Sequence, residues 1–212
     1  MTEDSTSGWL LGGGADPEEI AGRYDTWADG YDEDLRSWGY RAPEVVAELI
    51  LRFHPAATTI LDAGCGTGLV GRALRAAGFS GSVHGIDVSD ASLLIAGRGG
   101  WYETLVTGDL QHRIDWLDND ADVVACVGVM TYLPDVESTW REFVRVARPG
   151  GLVVFTQRED LWEERDCAGV IDRMSDEGAW SAVEVTGPEP YLPGNTDGMG
   201  PVGVYYVAAR VS

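Results

Sequence analysis

Residues 59–68 read Thr-Ile-Leu-Asp-Ala-Gly-Cys-Gly-Thr-Gly, and Leu69-Val70-Gly71-Arg72-Ala73-Leu74 follow directly. The opening TILDA (Thr59–Ala63) is short, apolar and β-branched, as a buried strand requires, and the closing run has helical spacing to Gly78. Between them lie Gly64, Gly66 and Gly68. Glycine lets the backbone turn sharply and lets a ligand lie against bare main chain. In open parallel sheets, ligands bind at the carboxyl ends of strands, near a point where the strand order reverses. The stretch therefore predicts both a fold class and a place to look for a site.

The same alternation continues downstream. Ser82–Val88 reads as a strand, Ser89–Gly97 as a helix, Thr104–Thr107 as a short strand and Ala121–Val127 as a buried strand. Val136–Ala147 is an amphipathic helix, Pro149-Gly150-Gly151 a turn, and Leu152–Thr156 a fifth strand. Strands alternating with helices of this length predict βαβ units and a parallel sheet covered on both faces. After Thr156 the pattern changes to one helix (160–174) and two strands (182–186 and 202–211), which predicts an antiparallel addition at one sheet edge. Upstream, Pro17 opens a helix with acids just behind it. Tyr24, Trp27 and Tyr31 share one face of that helix, suited either to docking on the core or to covering a site. A second helix spans Ala42–Phe53. The expected architecture is a Rossmann-like, doubly wound α/β sheet of seven strands, mostly parallel with an antiparallel edge strand. N-terminal helices form an arm over about 17–55, and residues 1–16 read as a flexible tail before one domain over 17–212.

Composition narrows the function. The 212 residues carry 44% hydrophobic and 24% charged side chains, ordinary for one globular domain. The net charge is −20, and all 15 basic residues are arginine. Without lysine there is no Schiff-base or P-loop chemistry. The negative charge argues against duplex nucleic acid and anionic membrane as partners, since both require basic side chains. Cys65, Cys126 and Cys167 form no CxxC pair, so neither a disulfide framework nor a metal site is expected, and a cytoplasmic setting is the default. No leader sequence and no apolar run of the ~18 residues needed to span a membrane is apparent.

Gly66-Thr67-Gly68-Leu69-Val70-Gly71 satisfies a dinucleotide fingerprint as written. Asp62, two residues before the first glycine, argues against that reading. A carboxylate there would repel a pyrophosphate, which favours bare N–H groups and a helix N-terminus. A cationic adenosyl ligand would be favoured. Asp87 ends the second strand and can accept hydrogen bonds from both ribose hydroxyls. Asp109, after the third strand, can sit at an adenine edge while Leu110 packs on the ring.

Taken in order, LDAGCGTG, GIDVS, GDL, DVVACVGVMTYLPD and RPGGLVVFT resemble a class I S-adenosylmethionine-dependent methyltransferase over roughly residues 17–211. The upstream YDTWADGYDEDL…YRAP is similar to the Williams–Beuren-region methyltransferase-like group. The resemblance implies S-adenosylmethionine as cofactor and S-adenosylhomocysteine as product. It places Asp62, Gly64, Gly66 and Gly68 at the methionine end and ribose, with Cys65 a small filler within the loop. Asp87 and Val88 would take the ribose and adenine, Gly108, Asp109 and Leu110 would frame the adenine, and Val127 and Gly128 would lie under the methionine portion. Tyr24 and Tyr31 would cover the cofactor and Arg41 would pair with its carboxylate.

Methyl transfer from a sulfonium is an in-line displacement in which positioning supplies much of the acceleration. By position, Met130, Tyr132, Gln157, Arg158 and Trp162 are acceptor-pocket candidates, with Arg158 suited to an acidic substrate. Tyr132 and Asp135 are the candidates for a catalytic role, which is otherwise unassigned. Val127-Gly128-Val129-Met130 is not the Asn/Asp-Pro-Pro-Tyr/Phe motif that orients amines in many nucleic-acid and protein-glutamine methyltransferases. With no basic patch, this favours a small-molecule acceptor, methylated on oxygen, nitrogen or carboxyl, by a monomer or homodimer. The alternatives are a cofactor-binding protein of this fold without methyl transfer, such as a cyclase, and an NAD-dependent oxidoreductase. The latter would want a Ser/Tyr/Lys hydride-transfer set that is missing here.

Overall fold

A computed structural model describes residues 16–195 and 202–212, so the expected tail over 1–16 lies outside the described residues except for Asp16. That residue caps the first helix, α1 (Pro17–Ser37), its carboxylate accepting from the Glu18 N–H at 2.9 Å. The second helix, α2 (Ala42–Phe53), begins and ends where its apolar spacing does.

The chain then alternates: β1 (Thr59–Ala63), α3 (Leu69–Ala76), β2 (Ser82–Asp87), α4 (Asp90–Gly99), β3 (Thr104–Thr107), β4 (Ala121–Cys126), a 3-10 turn (Met130–Tyr132), α5 (Val136–Val146) and β5 (Ala147–Arg158). Two short helices, α6 (Glu159–Glu164) and α7 (Cys167–Asp176), lead to β6 (Trp180–Val185), a two-residue β7 (Glu189–Pro190) and β8 (Gly203–Val211). The sheet order is β3-β2-β1-β4-β5-β8-β6, with β7 pairing beside β8. Strands β1 to β5 are parallel, and β8 runs antiparallel to both β5 and β6. The antiparallel part thus lies at the expected end of the sheet, with the last strand inserted one place in from the edge.

Strand alternation sorts the core into two layers. Ile60, Val123 and Val154 face α2 and α3, where Val46, Ile50, Val70 and Leu74 meet them. Leu61, Val124 and Val153 face α5 and α7, where Trp140, Phe143, Val170 and Met174 are buried. Trp140 stacks on Phe155 with ring centroids 4.5 Å apart.

Two expected details differ. The Pro149-Gly150-Gly151 turn lies inside β5 rather than before it. Ala121 pairs with Ala147 but Val123 pairs with Leu152, so the extra residues bulge out of the ladder around Gly150, whose φ is +78°. The single helix expected over 160–174 is broken at Asp166, which takes a left-handed φ of +49°. No proline or glycine announces that break. The neighbouring Arg165 supplies a reason: its guanidinium donates to the carbonyls of Met130, Thr131 and Leu133, across the sheet end.

Below β1, Asp122 accepts from the Thr58 N–H (2.7 Å), the Thr58 hydroxyl (2.8 Å), the Thr59 N–H (3.0 Å) and the Arg148 guanidinium (2.7 Å). Asp122→Ala leaves these donors unpaired and is expected to cost about 2–3 kcal/mol of stability, read as a lower denaturant midpoint at unchanged slope.

Candidate active site

The connections leave β1 in opposite directions along the sheet, β2 on one side and β4 on the other. A crevice opens at their carboxyl ends, as the topology requires. It is a partly enclosed concavity lined by the glycine loop, the segments after β2, β3 and β4, and α1, the kind of place in which small molecules bind.

Its floor is the glycine loop. Gly64 has φ +80°, and a Cβ there would come within 2.4 Å of Val129 Cγ2, so only a bare backbone fits between the loop and the segment after β4. Gly68 has φ +95° and caps α3 in the left-handed conformation. Asp87 ends β2 on the crevice wall. Its Oδ2 accepts from the Gly66 N–H at 2.7 Å and its Oδ1 from the Ser89 N–H at 2.9 Å. Burial raises its pKa, and the N–H donors of Ser89, Gly66 and Val88 oppose that rise.

Gly64, Cys65, Gly66, Asp87, Val88, Gly108, Asp109, Leu110, Val127, Gly128, Tyr24, Tyr31 and Tyr132, all singled out from sequence, line this crevice. Burial pushes the Cys65 thiol up, consistent with a filler and not a nucleophile. Among the described lining residues the charged side chains are Asp87 and Asp109, and no arginine is among them.

Asp62 requires a correction. It is fully buried beneath the loop and is not on the wall. Its Oδ2 accepts from the Tyr102 hydroxyl at 2.6 Å, and Tyr102 in turn accepts from the Gly71 N–H at 3.0 Å. Asp62 therefore braces the loop against α3. The carboxylates on the crevice wall are those of Asp87 and Asp109 instead. Gly68 likewise lies off the wall, and Arg41 is exposed outside the crevice.

The acceptor candidates also divide. Asp135 caps α5, its carboxylate accepting from the Ser138 N–H at 3.0 Å, and it lies in a neighbouring surface depression. Met130 is packed in the core, and Trp162 stacks on Tyr205 with centroids 4.1 Å apart. Gln157 is buried in β5 with no partner for its side-chain amide among the described residues. Tyr132 and Arg158 remain. They line a small, narrow chamber beside the crevice, which shares Tyr24, Tyr31, Gly128 and Tyr132 with it.

The arm closes over both spaces. Asp32 of α1 accepts from the Thr67 hydroxyl at 2.6 Å, and Asp25 accepts from the Ser89 hydroxyl at 2.6 Å. The Tyr24 hydroxyl donates to Tyr132 at 3.2 Å. Trp27 serves docking: it is buried, donates to Asp34 and packs edge-on against Tyr31. Sequence reasoning missed Asp25, Asp32, Tyr40, Tyr102, Arg165 and Tyr191. Their partners lie far away in the chain, and no local spacing marks them.

Residues 61–155 match the family model described as a methyltransferase domain. Methyltransferase-like protein 27 of Homo sapiens is 33% identical over 167 residues, 76% of this chain and 67% of that protein. The chain belongs to the class I S-adenosylmethionine-dependent methyltransferases. The ubiquinone biosynthesis O-methyltransferase of Pseudomonas syringae pv. tomato is 31% identical over 112 residues, half of this chain and 46% of that one. Among solved structures, the [4+2]-cyclase SpnF superposes with a TM-score of 0.65 at 15% identity, covering 95% of this chain and 98% of that one. At that identity the likeness shows the fold alone. As a methyltransferase, the chain requires a crevice compatible with an adenosyl sulfonium, and a wall of glycine backbone with two carboxylates and no cation fits one.

Among the described residues, no group of three or more His, Cys, Asp or Glu side chains is placed to hold a metal ion, and no helix is long and apolar enough to cross a membrane.

Proposed function

We propose that this methyltransferase transfers the methyl group of S-adenosylmethionine to a small-molecule acceptor. The observation that carries the reading is the division of charge. The larger crevice is lined by carboxylates and bare glycine backbone, and the chamber beside it by tyrosines and Arg158. In this reading Asp87 accepts from the ribose hydroxyls, Asp109 and Leu110 frame the adenine, and Gly64, Gly66 and Gly128 give the methionine portion room against main chain. When bound, the cofactor supplies an electrophilic methyl carbon. The protein supplies orientation: Tyr24, Tyr31 and Tyr132 stand between the two spaces and exclude water from their junction.

The tyrosines are poor bases. Burial pushes Tyr132 up to about 12 and raises Tyr24, Tyr31 and Tyr191 as well. The chemistry this site favours is positioning. The enclosed volume, with no basic groove among the lining residues, supports a small acceptor over a polymer.

Calorimetry with S-adenosylmethionine, S-adenosylhomocysteine and NAD tests the cofactor half. The adenosyl pair is expected to bind and NAD to give no heat; NAD binding would overturn the reading. Mass spectrometry of a metabolite mixture for products heavier by one methyl tests the transfer half.

A further inference from the structure

The turn after β4 carries part of the crevice wall. Val129, Tyr132 and Leu133 line the crevice, and Val129 is the residue that a Cβ at Gly64 would strike. The turn's own backbone bonds are internal. The Tyr132 N–H donates to the Val129 carbonyl at 2.9 Å, and the Leu133 N–H donates to the Met130 carbonyl at 3.2 Å. Such bonds close a tight turn but do not fix where it lies on the molecule.

Arg165 fixes it. One terminal nitrogen of its guanidinium donates to the carbonyls of Met130 at 2.6 Å and Leu133 at 3.2 Å, and the other donates to the carbonyl of Thr131 at 2.9 Å. Among the described residues, these are the hydrogen bonds that tie the backbone of 129–133 to another element. A planar guanidinium reaches several acceptors at once in fixed directions, which an ammonium does not. Arg165 does not itself line the crevice, so it holds the turn from outside.

The chain bends to bring this group into place. Arg165 ends α6, and the next residue, Asp166, takes the left-handed φ of +49°. That conformation is strained for a residue other than glycine and persists only where its surroundings hold it. Here they do. The Asp166 carboxylate accepts from the Arg173 guanidinium at 2.9 Å, and Gly169 leaves room for it, since a Cβ there would collide with its oxygens. Strain kept beside a three-carbonyl clamp, on a turn that forms the crevice wall, points to a constraint set by the site.

We propose that Arg165 is a positioning residue of this methyltransferase, which clamps the carbonyls of the turn after β4 and so holds Tyr132 and its neighbours against the bound cofactor. The inference rests on the placement of S-adenosylmethionine in the crevice. Arg165 touches neither cofactor nor acceptor and acts through the wall. Its removal leaves three carbonyls to water and frees the turn to shift. A displacement of about 1 Å near reacting groups is enough to lower a rate roughly a hundredfold, so turnover falls along with binding.

The test is titration calorimetry of the full chain with S-adenosylhomocysteine, for the unaltered protein, Arg165→Ala, Arg165→Lys, Tyr132→Ala and the double variant Arg165→Ala/Tyr132→Ala. Arg165→Ala is expected to weaken binding by about twentyfold. Arg165→Lys, which keeps the charge without the fork, is expected to weaken it by about fivefold. In the Tyr132→Ala background the loss from Arg165→Ala is expected to shrink to about threefold or less, because both changes act on one turn. A merely structural arginine would cost the same factor in either background. Should Arg165→Ala fail to fold, the same cycle run with Arg165→Lys decides the matter.

Binding within about twofold of the unaltered chain in the Arg165 variants would overturn the inference and leave the cofactor assignment standing. So would a loss that adds in full to that of Tyr132→Ala. Failure of the unaltered chain to bind S-adenosylhomocysteine would overturn the cofactor assignment, and this inference with it.

Discussion

Asp87→Ala is expected to weaken binding of S-adenosylhomocysteine by roughly 100-fold or more, the largest single effect at this site. The reason is that one carboxylate does two things. It fixes the crevice by accepting from the Gly66 and Ser89 N–H groups, and so sets both the glycine loop and the start of α4. It also remains on the wall, where the proposed ribose would meet it. Hydrogen bonds to a charged acceptor are worth about 1.5–3 kcal/mol each, and two or more are lost together. Asp87→Asn is a sharper probe than it looks. The side chain keeps its size, but both of its structural partners are N–H donors, so the new amide nitrogen must face one of them. Asn is expected to lose most of the affinity that Ala loses. Titration calorimetry checks both, with the melting temperature as the control for folding. A dissociation constant within threefold of wild type for Asp87→Ala would remove Asp87 from the cofactor site.

The second large effect concerns pH. Asp62 is pushed up to about 7, chiefly by burial. The Tyr102 hydroxyl opposes that rise, and the charge of Asp87 adds to it. The folded protein therefore holds this proton more tightly than the unfolded chain, where the carboxyl titrates near its usual value of 3.8. Below that value both states are protonated and the contribution is fully present. As pH rises, the unfolded state gives up its proton first, so stability falls until the folded-state group also ionises near pH 7, and then levels. Asp62→Asn keeps an acceptor for the Tyr102 hydroxyl and removes the ionisation. It is expected to be more stable than wild type at pH 8 by about 2–4 kcal/mol, with the gap closing towards pH 4. For a chain of this length that corresponds to a melting-temperature difference of roughly 5–12 °C at pH 8. Parallel melting curves for the two proteins across pH 4–8 would show that Asp62 is ionised in the folded state throughout.

Both predictions fall on residues visible in the sequence, but their roles were not equally legible there. Asp87 stands where a strand-end acid was expected, because a β-strand ending at a topological switch has one place to present its last side chain. Asp62, whose place before the glycine loop suggests a side chain facing the ligand, is buried against Tyr102 instead. The alternation of β1 sends Leu61 and Asp62 to opposite faces, and which of those faces lies under the loop depends on where α3 and the Trp101–Tyr102 segment pack. The acceptor side was less legible still. Of its candidates, Asp135 is a helix cap, Trp162 and Met130 are core, and Tyr132 and Arg158 line the chamber. Tyr191, which completes that chamber, lies in a loop with no periodicity to read.

By itself the sequence determined the βα order, the glycine loop between β1 and α3, the acids at the tips of β2 and β3, and the absence of lysine chemistry. Those properties follow from backbone requirements and hydrophobic periodicity, which act over a few residues and leave a local record. Only the tertiary structure decided the insertion of β8 between β5 and β6, the bracing of Asp62 by Tyr102, the pinning of α1 by Asp25 and Asp32, and the meeting of Arg158 with four tyrosines from three other segments. Such contacts join residues tens of positions apart, and each partner's local surroundings are compatible with many others until the sheet closes and brings them together.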